Sequence, residues 1–404
     1  MRARRIARSV LRGTVALASV AVLIATGYGW SALRTASAAI VTSDALGERG
    51  PLGLDEAFTA LLVGIDSRTD SSGNPLPPAV LAQLRAGEDE GQFNTDTIIL
   101  LHVPAGPEPS ASAISIPRDS YVAIAGTGRL HKINSAYRRG MERAADSAPG
   151  LTERLQREAG RRELVRTVEQ LTGVSIDHFA EVNLAGFVEV TEAIGGVPVC
   201  LNAPVREERA GIDLPAGYQT VSGADALAFV RQRRDLPGGD LDRVTRQQAF
   251  LAGVARSALT GTLTDPAALD RLIRTVTRYV VLDRGWDVDA LLGQLRRATG
   301  RDITFRTIPT GRPDLETPVD GIAVEVDPDA VREFTRAVVD GAVPATAGTA
   351  TPGTATPGTA TPSPVAAASP SPAPAGPLGP PLPTPPAAPV PTPALTAATV
   401  PCVD

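Results

Sequence analysis

Lysine is almost absent from this chain: of 39 basic side chains, only Lys132 is not an arginine. A high-GC codon bias accounts for most of the arginines but gives no reason for a single lysine to remain. Histidine and cysteine are nearly as rare, at 3 and 2 in 404 residues, which leaves too few soft ligands for a zinc site. His102 sits within one apolar run and His178 beside another, so both read as core or surface residues. His131 adjoins no serine motif, and no Ser-His-Asp arrangement can be argued. The sequence has no G-x-x-x-x-G-K-S/T run, so a P-loop is excluded. A formal net charge of −5 argues against a general nucleic-acid binder, whose domain would be strongly basic.

Arginine, by contrast, is concentrated. Ser222 to Gln248 holds five arginines around an apolar helix and a Gly238-Gly239 break, with no histidine, cysteine or lysine. Ala224 to Val230 is helix-forming, so Arg231, Arg233 and Arg234 leave its end beside the turn Leu236-Pro237-Gly238-Gly239. A second helix starts at Asp240 and Asp242, where negative charge favours an N-terminus. Arg243, Arg246 and Gln247 follow at spacings of three and four, which places them on one face. Like charges crowded at one hinge repel unless an anion or carboxylates are expected there. A planar guanidinium fork matches phosphate oxygens, so the cluster reads as a clamp for a polyanion such as a diphosphate.

Residues 1–13 form a basic segment, and residues 14–34 an apolar span long enough to cross a bilayer as a helix. The basic side stays in the cytoplasm, which puts the rest of the chain outside a cell membrane crossed once. A cleavable signal peptide is the competing reading, because Ala36-Ser37-Ala38 is an A-x-A site; the length of the span favours an uncleaved anchor. A stalk at 35–56 leads to an extracellular domain at 57–342. Residues 343–404 are rich in proline, alanine and threonine, with GTATP repeated three times from 348 to 362, and read as an extended, disordered tail. Two cysteines in an exported chain suggest one disulfide, Cys200 with Cys402, which would tie that tail back to the domain.

Within the domain, Ala57–Ile65, the run IILLHV after Asn94-Thr95-Asp96-Thr97, and Ser112–Ile116 read as buried strands. Residues 69–92 read as a long loop. Thr152 to Leu171 has helical periodicity, with Leu155, Leu164, Val168 and Leu171 on one stripe. Further helices are expected at 184–194, 241–259, 266–280, 287–298 and 328–340, and a strand at 302–309. Alternating helices and apolar strands predict an α/β fold with a largely covered sheet. Asp66 and Arg68, Asp96, then Arg118 and Asp119 lie at strand ends, where open α/β sheets place ligand groups. With Lys132 and the hinge residues they make a constellation of acids and arginines. Carboxylates without histidine or thiol suit a hard cation, most simply Mg²⁺ held by two acids and substrate phosphates.

The runs LLVGIDSR, NTDTIILLHV, ISIPRDSYVAI, HKINSAY, EAIGGVPV, GADALAFVRQR and DLDRVTRQQAFL, in this order behind one membrane span, resemble the LytR-CpsA-Psr family of cell-wall phosphotransferases, of the actinobacterial type. The likeness covers about 57 to 260. It implies a mixed central sheet flanked by helices and enclosing an apolar pocket for a polyprenyl tail, with a Mg²⁺-bound pyrophosphate at the mouth. It also implies transfer of a glycopolymer phosphate from a polyprenyl-pyrophosphate carrier to peptidoglycan. Carried over by position, Asp66 and Asp96 resemble the metal carboxylates, and Arg68, Arg118, Arg231, Arg233, Arg243 and Gln247 the pyrophosphate contacts. Asp119 and Asp240 match the acids that orient them, and Lys132 the family's lysine. Arg246 joins the substrate-binding set through its helical spacing. Asn94 stands where the family commonly has arginine, which puts one phosphate contact in doubt. The rival readings are a polyprenyl-pyrophosphate phosphatase, with water as acceptor, and a non-enzymatic wall-polymer receptor or regulator.

Overall fold

In the run Phe58–Ile65 the side chains of Leu61, Val63 and Ile65 enter one core, and those of Ala60 and Leu62 enter another. That period of two is what a strand covered on both faces requires. The computed structural model of the chain describes residues 40–47, 56–84, 93–106, 110–207, 212–232, 240–257, 265–286, 303–342, 395–396 and 400–404. The expected membrane span at 14–34, the expected helix at 287–298 and most of 343–404 lie outside the described residues.

In chain order the first elements are β1 (Val41–Ser43), β2 (Phe58–Ile65), α1 (Pro78–Leu84), β3 (Thr95–Val103), β4 (Ser112–Ser115), β5 (Ser120–Ala123), β6 (Leu130–Lys132), α2 (Ala136–Ser147), α3 (Glu153–Thr172), β7 (His178–Asn183) and α4 (Leu184–Ala193). Then come β8 (Val197–Leu201), β9 (Val205–Glu207), β10 (Ile212–Leu214), β11 (Gly217–Val221), α5 (Gly223–Arg231), α6 (Asp240–Ser257) and α7 (Pro266–Tyr279). The last are β12 (Val280–Asp283), β13 (Thr304–Thr307), β14 (Leu315–Thr317), β15 (Gly321–Glu325), α8 (Pro328–Val339), β16 (Leu395–Thr396) and β17 (Cys402–Val403). Eight strands form a mixed sheet in the order β1-β12-β7-β2-β3-β4-β13-β16. On one face Tyr137, Leu164, Val168 and Val331 bring α2, α3 and α8 onto Leu61, Leu100 and Phe179. On the other, Leu251 and Ala252 bring α6 onto Ala60, Ile99 and Phe305. Smaller sheets, β14-β15-β5-β6 and β11-β8-β17, flank this frame.

Several local expectations change. The stretch 69–92 contains α1, because Leu76 and Leu84 bury themselves against Leu184, Leu227 and Tyr279. Leu155 is 43% exposed rather than part of the buried stripe of α3. It lies in the first turn, and periodicity alone does not say where along a helix its covered part begins. The stalk supplies β1, which pairs in parallel with β12. At the far end of the chain β16 pairs with β13 and β17 with β8, and Cys200 and Cys402 are bonded with their Cα atoms 4.3 Å apart. The ends of the Pro-rich segment are therefore both attached to the domain.

His102 on β3 is buried, with its Nδ1 3.1 Å from Thr59 Oγ1. Burial, opposed by Asp177 and Asp340, holds its pKa below the ordinary 6.5. The unfolded chain thus takes up a proton that the folded chain refuses, so this contribution is intact above pH 6.5 and is lost as pH falls below it. Thermal denaturation of His102→Gln between about pH 7 and 5 is expected to give a flatter dependence of Tm on pH than the parent.

Candidate active site

The charged strand ends meet because β2, β3 and β4 all present one end to the same edge of the sheet. Ile65 pairs with Thr95, and Asp66 N donates to Asn94 O at 3.0 Å, so Asp66 and Asp96 flank adjoining strand ends. The register slips between Gly64 and Ile65, and Gly64 packs so close to Thr97 that a Cβ there would lie 3.1 Å from the threonine Cβ. Ile116 N donates to Ile98 O at 2.9 Å, which carries β4 to the same level and delivers Arg118 and Asp119.

These residues line a cavity of about 430 Å³. Arg118, Arg231, Arg243 and Lys132 share its wall with Asp66, Asp96 and Asp119, together with Gln247, Asn94, Asn134 and Asn183. Val182, Leu184, Phe187, Leu227 and Val230 make an apolar side. Arg118 is only 8% exposed, and its Nη1 donates to Asp96 Oδ1 at 2.5 Å. Its Nε lies 3.6 Å from Asp119 Oδ2, and Asp119 Oδ1 lies 3.4 Å from Lys132 Nζ. Asp66 stands 3.7 Å from Arg68 Nη1 and 3.8 Å from Arg231 Nη2. The pairs at 3.6 Å and beyond are Coulombic rather than hydrogen-bonded. Arg68 stays beside Asp66 but is not among the residues that line the cavity. Among the expected phosphate contacts it is therefore Arg231 that an entering anion can draw from Asp66 at less cost than it can draw Arg118 from Asp96.

The arginine stretch divides. α6 is pinned to the sheet by Gln248, whose Nε2 donates to Ser115 Oγ at 3.2 Å and to Thr307 Oγ1 at 2.8 Å. Arg243 and Gln247, one turn apart, then look into the cavity. Arg246 does not, and the expectation that it binds substrate is corrected: it is fully buried elsewhere. Its Nε donates to the main-chain oxygen of Asp404 at 2.7 Å, Nη1 to Gln232 Oε1, and its guanidinium lies 5.2 Å from the Phe229 ring. At 100° per residue, positions 246 and 247 fall on either side of 243, so a spacing of three turned the side chain into the core while a spacing of four did not. Burial, against the pull of Asp404 and Asp242, brings the Arg246 pKa down to about 10. Arg233 and the side chain of Asp240, although Asp240 opens α6, lie outside the described residues.

Two asparagines of the cavity wall, and the residues of its apolar side, were not singled out in the sequence. Asn183 caps α4, its Oδ1 accepting from Gly186 N at 2.7 Å while Nδ2 donates to Thr69 O at 2.6 Å. An asparagine just before the helical run LAGFVEV is an N-cap signal that could have found it. Asn134, whose N donates to Arg118 O at 3.1 Å, carried no independent signal. Among the described residues no group of three or more His, Cys, Asp or Glu side chains is arranged to hold a metal ion. Asp66 and Asp96 on one cavity wall still fit Mg²⁺ by chemistry, since that ion takes one or two carboxylates and completes its shell with phosphate oxygens and water.

Guanidinium groups, one ammonium and paired acids line a cavity with an apolar side in a mixed α/β domain. The LytR_cpsA_psr family model matches residues 35–335, and the chain belongs to that family. The cell wall biosynthesis protein LcpA of Corynebacterium glutamicum is 43% identical over 350 residues, 83% of this chain and 67% of that protein. TagU of Bacillus cereus, a polyisoprenyl-teichoic acid--peptidoglycan teichoic acid transferase, is 31% identical over 210 residues, 51% of this chain and 61% of TagU. The LytR-Csp2A-Psr enzyme from Actinomyces oris shares the fold, with a TM-score of 0.50 and 21% identity over 74% of this chain and 95% of that one.

Proposed function

We propose that the chain is a transferase that moves a glycopolymer phosphate from a polyprenyl-pyrophosphate carrier to peptidoglycan, as a single-pass protein of the cell membrane with its domain outside. The observation that carries this reading is the single cavity in which Arg118, Arg231, Arg243 and Lys132 meet Asp66, Asp96 and Asp119 beside the Val182–Leu227 apolar side. The names of LcpA and TagU support it. The apolar side would take the first isoprene units of the tail, as a lipid pocket.

In the reaction a sugar C6 hydroxyl of peptidoglycan attacks the sugar-proximal phosphorus; the new P–O bond forms as the bond to polyprenyl phosphate breaks. Polyprenyl phosphate leaves, and the hydroxyl proton passes to a carboxylate, Asp66 or Asp240. Arg118, held by Asp96 and Asp119, keeps a fixed positive charge where phosphate charge builds up. Arg231 and Arg243 add forks from two helices, and Gln247 a neutral donor. Such catalysis is positioning and charge stabilisation rather than covalent chemistry. A Mg²⁺ ion held by Asp66 and Asp96 would neutralise the diphosphate when bound. Chelation with EDTA is expected to abolish transfer and Mg²⁺ to restore it, while Asp66→Asn and Asp96→Asn each weaken the response to added Mg²⁺ at least about tenfold.

The deciding experiment supplies a lipid-linked diphosphate glycan to the full chain in membranes, with and without peptidoglycan fragments. Polymer-bearing peptidoglycan plus polyprenyl monophosphate is the expected outcome. Hydrolysis of the diphosphate linkage, with water as acceptor whether or not peptidoglycan is present, would make the chain a phosphatase, and no turnover would leave a receptor.

A further inference from the structure

Arg157 belongs to α3, on the face of the sheet away from α6, and is not among the residues that line the cavity. It nevertheless touches both chain segments that carry the expected metal carboxylates. Its Nη2 donates to Thr69 Oγ1 at 2.8 Å, and its guanidinium carbon lies 4.7 Å from the centre of the Phe93 ring. Thr69 stands three residues after Asp66, and Phe93 three residues before Asp96. Hydroxyls close the turn between Thr69 and Asp66. Thr69 Oγ1 and Ser67 Oγ are 2.7 Å apart, both residues are buried, and Ser67 N donates to Ile65 O at 2.9 Å. The bend then runs on beside the same guanidinium, where a Cβ added to Gly73 would lie 3.9 Å from Arg157 Cζ.

Neutralisation does not explain these contacts. The Arg157 side chain is 6% exposed and so needs a counter-charge, which Glu153 supplies one turn earlier: its Oε1 accepts from Nε at 2.9 Å and from Nη2 at 2.6 Å. A lysine could answer Glu153 as well. A planar cation can also lie on a ring and still donate from its rim, which is what Phe93 and Thr69 together use. The place of the grip matters. The β2–β3 pairing slips between Gly64 and Ile65, so the ladder is irregular just where Asp66 leaves β2. Beyond that slip one backbone bond, from Asp66 N to Asn94 O, joins the two segments, and Arg157 adds a second connection from the other face of the sheet.

We propose that Arg157 is a positioning residue: by holding Thr69 and Phe93 it sets the spacing of Asp66 and Asp96, and with it the affinity of that pair for a divalent cation. The inference rests on Asp66 and Asp96 holding the cation. The test titrates the full chain in detergent micelles with Mn²⁺, a substitute for Mg²⁺ that is counted by electron paramagnetic resonance. Arg157→Met is expected to weaken Mn²⁺ binding about tenfold. Thr69→Val, which keeps the branched shape and removes the hydroxyl, is expected to weaken it in the same direction. The control is Val168→Ala, three turns further along α3 and fully buried in the same core, which lowers Tm without touching either segment and is expected to bind Mn²⁺ as the parent does. Parental affinity in Arg157→Met or in Thr69→Val overturns the clamp and leaves the cation site standing. Equal weakening by Val168→Ala also overturns it, because general loosening of the domain would then suffice. A parent chain that binds no Mn²⁺ overturns the cation site and the clamp with it. Should Arg157→Met fail to fold, Thr69→Val carries the test alone. Polymer transfer plays no part in the readout, so failure of the transferase reading and failure of the clamp are seen separately.

Discussion

Arg118→Ala is expected to lower polymer transfer by about 10²–10³-fold and to lower Tm as well, whereas Arg231→Ala lowers transfer and leaves Tm nearly unchanged. Both arginines line the same cavity, but their surroundings differ. The Arg118 side chain is 9% exposed and lies between two acids, and the Arg231 side chain is 31% exposed with one distant partner at 3.8 Å. Truncating Arg118 leaves Asp96 and Asp119 facing each other without the cation between them. Breaking a buried pair costs about 3–5 kcal/mol, and this one should fall at the low end because the two acids keep 26% and 18% of their side-chain surface. Arg118→Lys restores the charge but not the fork that reaches Asp96 and Asp119 together, so it is expected to recover Tm more than transfer. Steady-state kinetics beside thermal denaturation separates the two. An Arg118→Ala chain that transfers polymer at the parental rate would remove the cavity from the mechanism.

The fold was legible where the chain speaks in periods. The alternation in β2 and the apolar runs of β3 and β4 announce strands because their side chains are buried on both faces, and the acids at their ends come together because β2 and β4 finish where β3 begins. Short strands held by partners far away in sequence were not legible: β1, β12, β16 and β17 owe their conformation to pairing, and two to four residues carry no clear period. The same limit applies to the arginines. Arg161, bonded through Nε and Nη2 to Glu181 at 2.8 and 2.9 Å inside the core, looks in sequence like any other arginine of α3. Arg246 stood among residues that do reach the cavity, and only the direction of one helix face, set by Gln248 on the sheet, turned it inward. Composition can show that cations are plentiful; which of them are buried depends on contacts between segments far apart in the chain.

That buried arginine makes the last residues of the chain part of the machinery that positions α6. Asn202 N donates to Val403 O and Asn202 Nδ2 to Asp404 Oδ1, both at 2.9 Å, and the Cys200–Cys402 bond closes a sequence separation of 202. Cys200→Ser with Cys402→Ser is expected to cost about 2–5 kcal/mol, a Tm loss on the order of 10 °C for a domain of this size. Chain entropy is one part of that loss. Once β17 leaves β8, Asp404 leaves with it, and the buried Arg246 guanidinium keeps Gln232 Oε1 but loses its acceptor at Nε. Arg246→Met should therefore destabilise the parent but cost much less, or even stabilise, in the Cys-to-Ser background. The coupling between the two changes is expected at about 1–3 kcal/mol by denaturant unfolding. Because Arg243 and Gln247 ride on the same helix, transfer should fall in the tether-free chain and be partly restored by Arg246→Met. Strictly additive stabilities would show that Arg246 does not depend on Asp404 and that the tether acts through chain entropy alone.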